Sequence, residues 1–414
     1  MNAISEKKTV LVLDGETRAG LAVVRSLGRT GLKVIAGCSQ AKSLAGSSKY
    51  CQHRIQYPAP EENVDHFVRS LHETIIQENI DILFPVTDAS TFAVLKNRTV
   101  FDEITSVPFV QFSTYWAASD KSALTKIATG LQIPCPSTIY VDLPSIEVLE
   151  QKMEKLTFPV IIKPHASIQA GGNSFRKTSV RFAATKDELV KIVTTDRSFA
   201  APYMLQEVIN GDGIGIFAFC VEGEVLSVFS HHRIREKPPY GGISVVCEST
   251  APDPSALDSA KKLLKALNWS GIAMVEFKRD RNRNNIPVLM EINARFWGSL
   301  QLAIDAGVNF PLYQHNLPCP SNPPQGGLES RIAENNTGNV NYTRSRWLLG
   351  DLDHLIIRLK MPGNHPRYPQ RTRDKLRAIL IFLLEFLKGS KIEELRYGDI
   401  GPFLHALKMW VKGQ

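Results

Sequence analysis

Residues 271–295, GIAMVEFKRDRNRNNIPVLMEINAR, hold the side chains of this sequence best spaced to do chemistry. Two apolar runs, 272–278 and 286–294, flank a polar turn rich in Asn and Arg, the pattern of a β-hairpin. With the turn centred on Arg283 and Asn284, Glu276 lies directly across from Glu291. Cross-strand partners sit about 4.5–5.5 Å apart, so two carboxylates placed there repel. Met274, Val275, Phe277, Met290 and Ile292 interleave with them and are too apolar for a face turned to water. Such a pair demands a cation, and a hard divalent ion with oxygen ligands is the economical choice. Period-two alternation puts Asn293 and Arg295 on the face of Glu291. The face reads Glu, Glu, Asn, Arg: a metal site for Mg²⁺ or Mn²⁺ beside an anion clamp, suited to the phosphates of a nucleotide.

A nucleotide also needs phosphate donors and a base pocket. FPVIIKP, residues 158–164, reads as a buried strand that fixes the ammonium of Lys163 beside a glycine-bearing loop. Gly171 and Gly172 in that loop let backbone N–H groups approach an anion. In YMLQEVINGDG, Gln206 to Ile209 form a hinge whose backbone faces an adenine edge, with Asp212 near the ribose. The stretch 230–244 reads as a basic loop carrying His231, His232, Arg233, Arg235 and Lys237, then Gly241 and Gly242. Its cations are candidates to hold a second anionic substrate, while its histidines read as structural or solvent-exposed rather than as ligands. Trp297 and Ser299 follow Arg295 closely and border either an acceptor pocket or the core.

These residues need elements to hold them. Residues 9–37 give strand, helix, strand, and the alternation continues through a helix at 64–79, a strand at 81–86, a helix from Ala89 and a strand near 107–111. This order predicts an open parallel α/β domain. The Gly15 and Gly20 spacing is not a full dinucleotide fingerprint, so it does not indicate NAD. A helix over 116–130 and strands at 138–141, 158–164 and 180–182 come next. Strands at 203–209, 215–221 and 224–230 follow, the last two joined through a Glu222, Gly223 turn. Residues 321–339 have linker composition, and helical stretches fall at 346–360, 372–388 and 402–412.

At 414 residues the chain exceeds one simple core, and 43% hydrophobic with 22% charged content is that of a folded soluble protein. The six cysteines are scattered without a Cys-x-x-Cys pair, which excludes a disulfide framework or zinc site and favours a reducing, cytoplasmic setting. No secretory signal is expected from the polar start MNAISEKKTV. Residues 341–414 hold 14 Lys and Arg against 7 Asp and Glu, so nearly all of the formal +8 lies there. Tail charge alone is weak ground for nucleic-acid binding. AILIFLLEFL, residues 378–387, is too short to span a bilayer and fits a helix covering the rest of the protein, a homodimer interface or a peripheral membrane contact.

Lys121, the PVIIKP strand, the glycine loop, QEVINGDG, the VEF strand and MEINAR occur in the order and approximate spacing of the ATP-grasp superfamily. The resemblance covers roughly residues 1–320 and looks closest to the carboxylate–amine ligase branch, related to the carbamoyl-phosphate synthase large chain and D-aspartate-type ligases. It implies an N-terminal open parallel α/β domain over 1–115 and a two-lobed α+β ATP-grasp domain over 116–325. The small lobe would end at 200, the large lobe would carry the hairpin, and residues 326–414 would form a linker and a basic, mainly helical segment. It assigns Lys121 and Lys163 to the ATP phosphates, with Gly171, Gly172 and Asn173 closing over them. Gln206, Glu207 and Ile209 would line the adenine, and Asp212 the ribose. Glu276, Glu291 and Asn293 would hold Mg²⁺, and Arg295 would stabilise the transferred phosphoryl group. Such enzymes join a small carboxylate to an amine through an acyl-phosphate, releasing ADP. The alternatives are a nucleotide-binding regulator without turnover, or another carboxylate-activating reaction of the same superfamily.

Overall fold

The computed structural model describes residues 8–317, 341–365 and 368–413. The expected linker at 321–339 lies outside them. Strand β1 (Thr9–Val12) is apolar and buried throughout, as an inner strand of a parallel sheet must be. It is followed by α1 (Arg18–Arg29), β2 (Lys33–Cys38), β3 (His53–Gln56), α2 (Val64–Gln77), β4 (Ile82–Phe84), α3 (Asp88–Lys96) and α4 (Arg98–Asp102). The four strands pair in parallel in the order β3-β2-β1-β4. At the turn into α1, a Cβ on Gly20 would lie 2.6 Å from the Asp14 carbonyl, and the Thr17 hydroxyl accepts the Gly20 N–H at 3.0 Å. The Gly15 and Gly20 spacing therefore serves a tight strand-to-helix turn. The strand expected near 107–111 shrinks to one parallel bridge between Ile82 and Ser106.

The single helix expected over 116–130 is two, α5 (Phe112–Ser119) and α6 (Lys121–Gly130). Asp120 separates them: its carboxylate accepts from the N–H groups of Ser122 and Ala123 at 2.8 and 3.0 Å, capping α6. Lys121 thereby opens a helix, with its own N–H on the His165 carbonyl at 2.7 Å. Next come β5 (Thr138–Val141), α7 (Ile146–Met153), β6 (Val160–Pro164), β7 (Ile168–Gly171), β8 (Ser174–Lys177), β9 (Arg181–Ala183), α8 (Lys186–Thr195) and β10 (Tyr203–Glu207). An antiparallel sheet β5-β10-β6-β9 buries its own small core with α7 and α8, around Val141, Leu149, Ile162, Leu189 and Leu205. The glycine loop is a hairpin of β7 and β8 that turns at Gly172, φ 65°.

The rest of the chain builds the largest sheet. Its strands are β11 (Gly213–Val221), β12 (Glu224–Lys237), β13 (Ile243–Thr250), then, after α9 (Pro254–Ala266), β14 (Gly271–Asp280) and β15 (Ile286–Asn293). Helices α10 (Leu300–Asp305) and α11 (Phe310–His315) follow, then β16 (Arg344–Arg346), α12 (Leu348–Lys360), α13 (Thr372–Leu384), β17 (Lys391–Ile392) and α14 (Gly401–Val411). The strand order is β15-β14-β11-β12-β13-β16-β17, so the mainly helical C-terminal segment also extends the sheet by two strands. The core under this sheet is continuous with that of the N-terminal sheet.

One expectation is corrected here. Residues 231–237 are not a loop: β12 runs through Lys237 and pairs with β13 across two irregularities. Strand propensity is poor in HHRIREK, but Arg235 and Lys237 are ion-paired to Asp351 and Asp353 of α12, partners no local reading can supply.

Candidate active site

The β14–β15 hairpin carries the centre. Its turn-side pairs, from Asp280 with Ile286 to Phe277 with Leu289, are centred on Arg283. A bulge between Glu276 and Phe277 then leaves Met290 unpaired, and the register resumes with Glu276 opposite Glu291 and Met274 opposite Asn293. The bulge re-aims the strand so that the two carboxylates face each other. Their side chains are 22% and 33% exposed, reachable from a cavity and enclosed elsewhere.

Protein cations answer this charge. Arg233 donates to Glu276 Oε1 at 3.2 Å, and Lys121 Nζ lies 3.6 Å from Glu291 Oε2 while donating to Ser167 Oγ at 2.6 Å. Desolvation, helped by Glu291, raises the Glu276 carboxyl above the ordinary range although Arg233 opposes it. For Glu291 desolvation pushes the same way, but Lys121, Lys163 and Arg295 outweigh it and hold the carboxyl low. Lys163, opposite Met204 in the register, is brought down to about 8 by burial, with Lys121 adding repulsion and Glu291 opposing.

Arg295 is held in place from several sides. It donates from Nε to Asp88 Oδ2 at 3.0 Å, from Nη1 to the Phe296 carbonyl at 2.8 Å and from Nη2 to Asn293 Oδ1 at 3.3 Å. Asn293 in turn donates to Glu291 Oε1 at 3.4 Å. Asp88, at the start of α3, thus ties the parallel sheet to the hairpin. Asp14 does not reach the site: its carboxylate accepts from Val86, Thr87 and Ser90 and staples β1 to the turn before α3, and burial raises it to about 6.

Two cavities meet at this face. The smaller, about 250 Å³, is lined by Arg18, His231, Arg233, Glu276, Glu291, Asn293, Arg295, Trp297 and Ser299. The larger, about 1130 Å³, reaches from Asp212, Lys278 and Arg281 to the C-terminal helices. Arg233, Gly242 and Glu276 line both. His231 is 3% exposed and neither ring nitrogen has a hydrogen-bond partner among the described residues; the same holds for Trp297 Nε1. Burial pushes the His231 imidazole down to about 3, so it is neutral and offers one donor and one acceptor. Buried polar atoms are seldom left orphaned, and here they line a cavity.

The other expected residues are distributed as follows. Gln206 donates to Thr138 Oγ1 at 3.0 Å with its Oε1 unpartnered, and Glu207 is bound by the Ser137 N–H and by Arg283. The Ile209 carbonyl is 3.5 Å from Lys278 Nζ, and Asp212 pairs with Arg281 at 3.0 Å near the large cavity. Between them, a Cβ on Gly211 would fall 1.4 Å from the Arg279 carbonyl, so only glycine lets the hinge lie against β14. The glycine hairpin is brought to α2 rather than to Lys163: the Asn173 carbonyl accepts from Val64 N–H at 2.7 Å and its amide donates to Asp65 at 2.6 Å. Arg235 and Lys237 are engaged by Asp351, Glu385 and Asp353, and Arg235, Gly241 and Gly242 line the large cavity. Of the residues lining the smaller cavity, sequence reasoning passed over Arg18 and read His231 as structural or solvent-exposed. For Arg18 the signal was its place at the carboxyl end of β1, where ligands of open α/β sheets gather.

Solved structures align with this chain over most of its length. An L-amino acid ligase from Bacillus licheniformis matches at 17% identity, covering 83% of this chain and 80% of that one, TM-score 0.62. The ADP complex of N5-carboxyaminoimidazole ribonucleotide synthetase matches at 14% identity, 94% and 99% coverage, TM-score 0.61. Biotin carboxylase from Campylobacter jejuni matches at 17% identity, 75% and 71% coverage, TM-score 0.58. A family model described as ATP-grasp in the biosynthetic pathway with Ter operon matches residues 199–319. The chain has the ATP-grasp fold. No curated protein matches the sequence.

Whether this ATP-grasp centre suits a divalent ion is a question of its donors. No group of three or more His, Cys, Asp or Glu placed to hold a metal ion is present among the described residues. Two carboxylates and an amide fit an ion that takes its remaining ligands from phosphate and water, the habit of Mg²⁺. The carboxylate pair by itself does not compel a metal, because Arg233, Lys121, Lys163 and Arg295 already balance it together with Glu236 and Asp88.

Proposed function

We propose that this protein is an ATP- and Mg²⁺-dependent ligase that joins a small carboxylate to an amine, amino-acid-like on at least one side, through an acyl-phosphate. The observation that carries this reading is the partition formed by Arg233 and Glu276 between a cavity of about 1130 Å³ and one of about 250 Å³. The first has room for a nucleotide and includes Asp212; the second suits a substrate of amino-acid size and ends on Arg295. Phosphoryl transfer between them would occur at the partition. On this reading residues 1–115 contribute Arg18 and Asp88, residues 116–325 supply the charged centre and one wall of the nucleotide cavity, and residues 326–414 supply its other wall and buttress β12.

No side chain acts as nucleophile. The substrate carboxylate attacks the γ-phosphorus, ADP leaves, and the amine then attacks the acyl carbon and expels phosphate. Arg295, fixed by Asp88 and the Phe296 carbonyl, presents its charge to the transferred phosphoryl group. Lys121 and Lys163 supply further positive charge beside Glu291. Neutral His231 and the Trp297 N–H offer hydrogen bonds that orient the substrate. A triphosphate adds more negative charge than these cations balance, and Mg²⁺ held by Glu276, Glu291 and Asn293 would supply the remainder.

The deciding experiment incubates purified protein with Mg·ATP and pooled amino acids and small carboxylates. ADP release that depends on a pool, with a product lighter than two pool members by one water, supports the ligase. A product carrying added carboxyl from bicarbonate would replace it with a carboxylation. Tight ATP binding with no turnover in any pool would favour a regulatory binder.

A further inference from the structure

Helix α13 presents its apolar side to solvent. Leu376, Leu380 and Leu383 are 65%, 55% and 56% exposed, and the 3₁₀ turn that continues the helix, Glu385–Lys388, adds Phe386 at 54% and Leu387 at 81%. Soluble helices normally turn such a stripe inward. This one cannot roll over, because Glu385 at its end is 0% exposed and bound to Arg344, Arg235 and Ser390. Arg346 adds its guanidinium 4.3 Å from the Phe382 and Phe386 rings. The inner face, with Ala378 and Phe382, walls the large cavity and leaves the leucines outside.

The charge around the stripe is of one sign. Arg373 and Arg377 are exposed at its N-terminal end and Lys388 at its C-terminal end. The two acidic residues of the segment are withdrawn: Asp374 caps the helix on the Arg371 N–H at 2.8 Å, and Glu385 is buried. A two-fold contact between copies would set this cationic rim against itself. No helix among the described residues is long and apolar enough to cross a membrane. A leucine stripe with a basic rim matches the headgroup boundary of a bilayer containing anionic lipid.

We infer that α13 is a peripheral docking element that lays Leu376, Leu380, Leu383, Phe386 and Leu387 into an anionic membrane surface, with Arg373, Arg377 and Lys388 on the phosphates. The inference is independent of the ligase reading. The full-length protein is sedimented with vesicles of phosphatidylcholine alone and of phosphatidylcholine mixed with phosphatidylglycerol, at low and high salt. It should pellet with the mixed vesicles only, and less at high salt. Leu380→Glu with Leu383→Glu should cut the partition coefficient by about tenfold or more, and Arg373→Glu with Arg377→Glu by about tenfold. Circular dichroism and melting temperature should not change, since these side chains point outward. Absence of pelleting with mixed vesicles overturns the inference, as does undiminished pelleting of the leucine double variant. A dimer in light scattering that the leucine variant splits would also overturn it, making the stripe an interface between copies. Capture of an acidic protein without vesicle binding would do the same.

Discussion

The β14–β15 hairpin and the far end of β12 both carry charge inside one sheet, and they neutralise it in opposite ways. In the hairpin, one local turn sets two like charges face to face, and the balancing cations come from β12, α6, β6 and the segment after β15. At the end of β12, Arg235 meets Asp351 and Glu385 at 2.7 and 3.0 Å, carboxylates that are 1% and 0% exposed. Every partner there is supplied by the chain, and although Arg235 and Asp351 border the larger cavity, the two carboxylates on Arg235 are almost wholly withdrawn from water. Glu276 and Glu291 remain reachable from a cavity, and two of their cations, Arg233 and Arg295, are shared with Glu236 and Asp88. A closed set of opposite charges holds structure together, whereas a like-charged pair open on one side is built to accept something.

The sharpest way to break this contrast is to remove one charge from each place. Glu291→Gln should lower Mg·ATP turnover by about 10³-fold or more while the far-UV spectrum stays native. Turnover within a fewfold of the parent protein would sink the assignment of this carboxylate to the metal. Glu385→Gln should instead cost about 3 kcal/mol of stability, because Arg235 and Arg344 are left buried without their shared partner. Acid should reach the same point. The Glu385 carboxyl is pushed upward by desolvation but held at about 2 by Arg344, Ser390 and Arg235. A depressed carboxyl contributes fully above its unfolded value near 4.5, and the contribution fades as pH falls from there toward 2. Denaturant titrations of the variant and the parent should therefore converge as pH drops through that window. An unchanged gap at low pH would show that Glu385 does not act through its charge.

The two regions were also unequally legible. Facing of Glu276 and Glu291 could be read from MVEF and MEIN because hairpin partners are close in sequence. Even so, the reading relied on a turn between Arg283 and Asn284, and the observed turn is centred on Arg283 with the bulge at Met290 restoring the pair. The basic stretch was misread as a loop because Asp351 lies 116 residues from Arg235. Asp120 was likewise hidden inside a helical pattern, and only as a cap does it set Lys121 beside Glu291. The glycine loop was identified, but its docking on α2 depends on Asp65 and Val64, distant residues with no local cue. Periodicity registers which residues share a face. It does not register which distant face they meet.

Lys163 tests the open side of the comparison through pH. Its ammonium titrates near 8, brought down from 10.5 chiefly by burial. A cation needed for phosphate binding is lost as pH rises through that value, so the KM for ATP should climb by up to about tenfold per pH unit above 8. Lys163→Arg keeps the charge at every accessible pH and should flatten the rise. A KM independent of pH in the parent protein would remove Lys163 from the phosphate site. The sealed cluster at Arg235 predicts no feature in this range.

The smallest effect belongs to charges that are neither sealed nor set against a like charge. Arg281 pairs with Asp212 at 3.0 Å, and the side chains are 57% and 71% exposed. Water screens such a pair, so Arg281→Ala should change stability by less than about 0.5 kcal/mol. If Asp212 reaches the ribose, releasing it from Arg281 should alter the KM for ATP by no more than about threefold, since an exposed carboxylate contributes little binding energy either way. A loss near the 3 kcal/mol expected at Glu385 would mean that exposure is not what separates the structural ion pairs from the rest, and the contrast between the hairpin and β12 would need another cause.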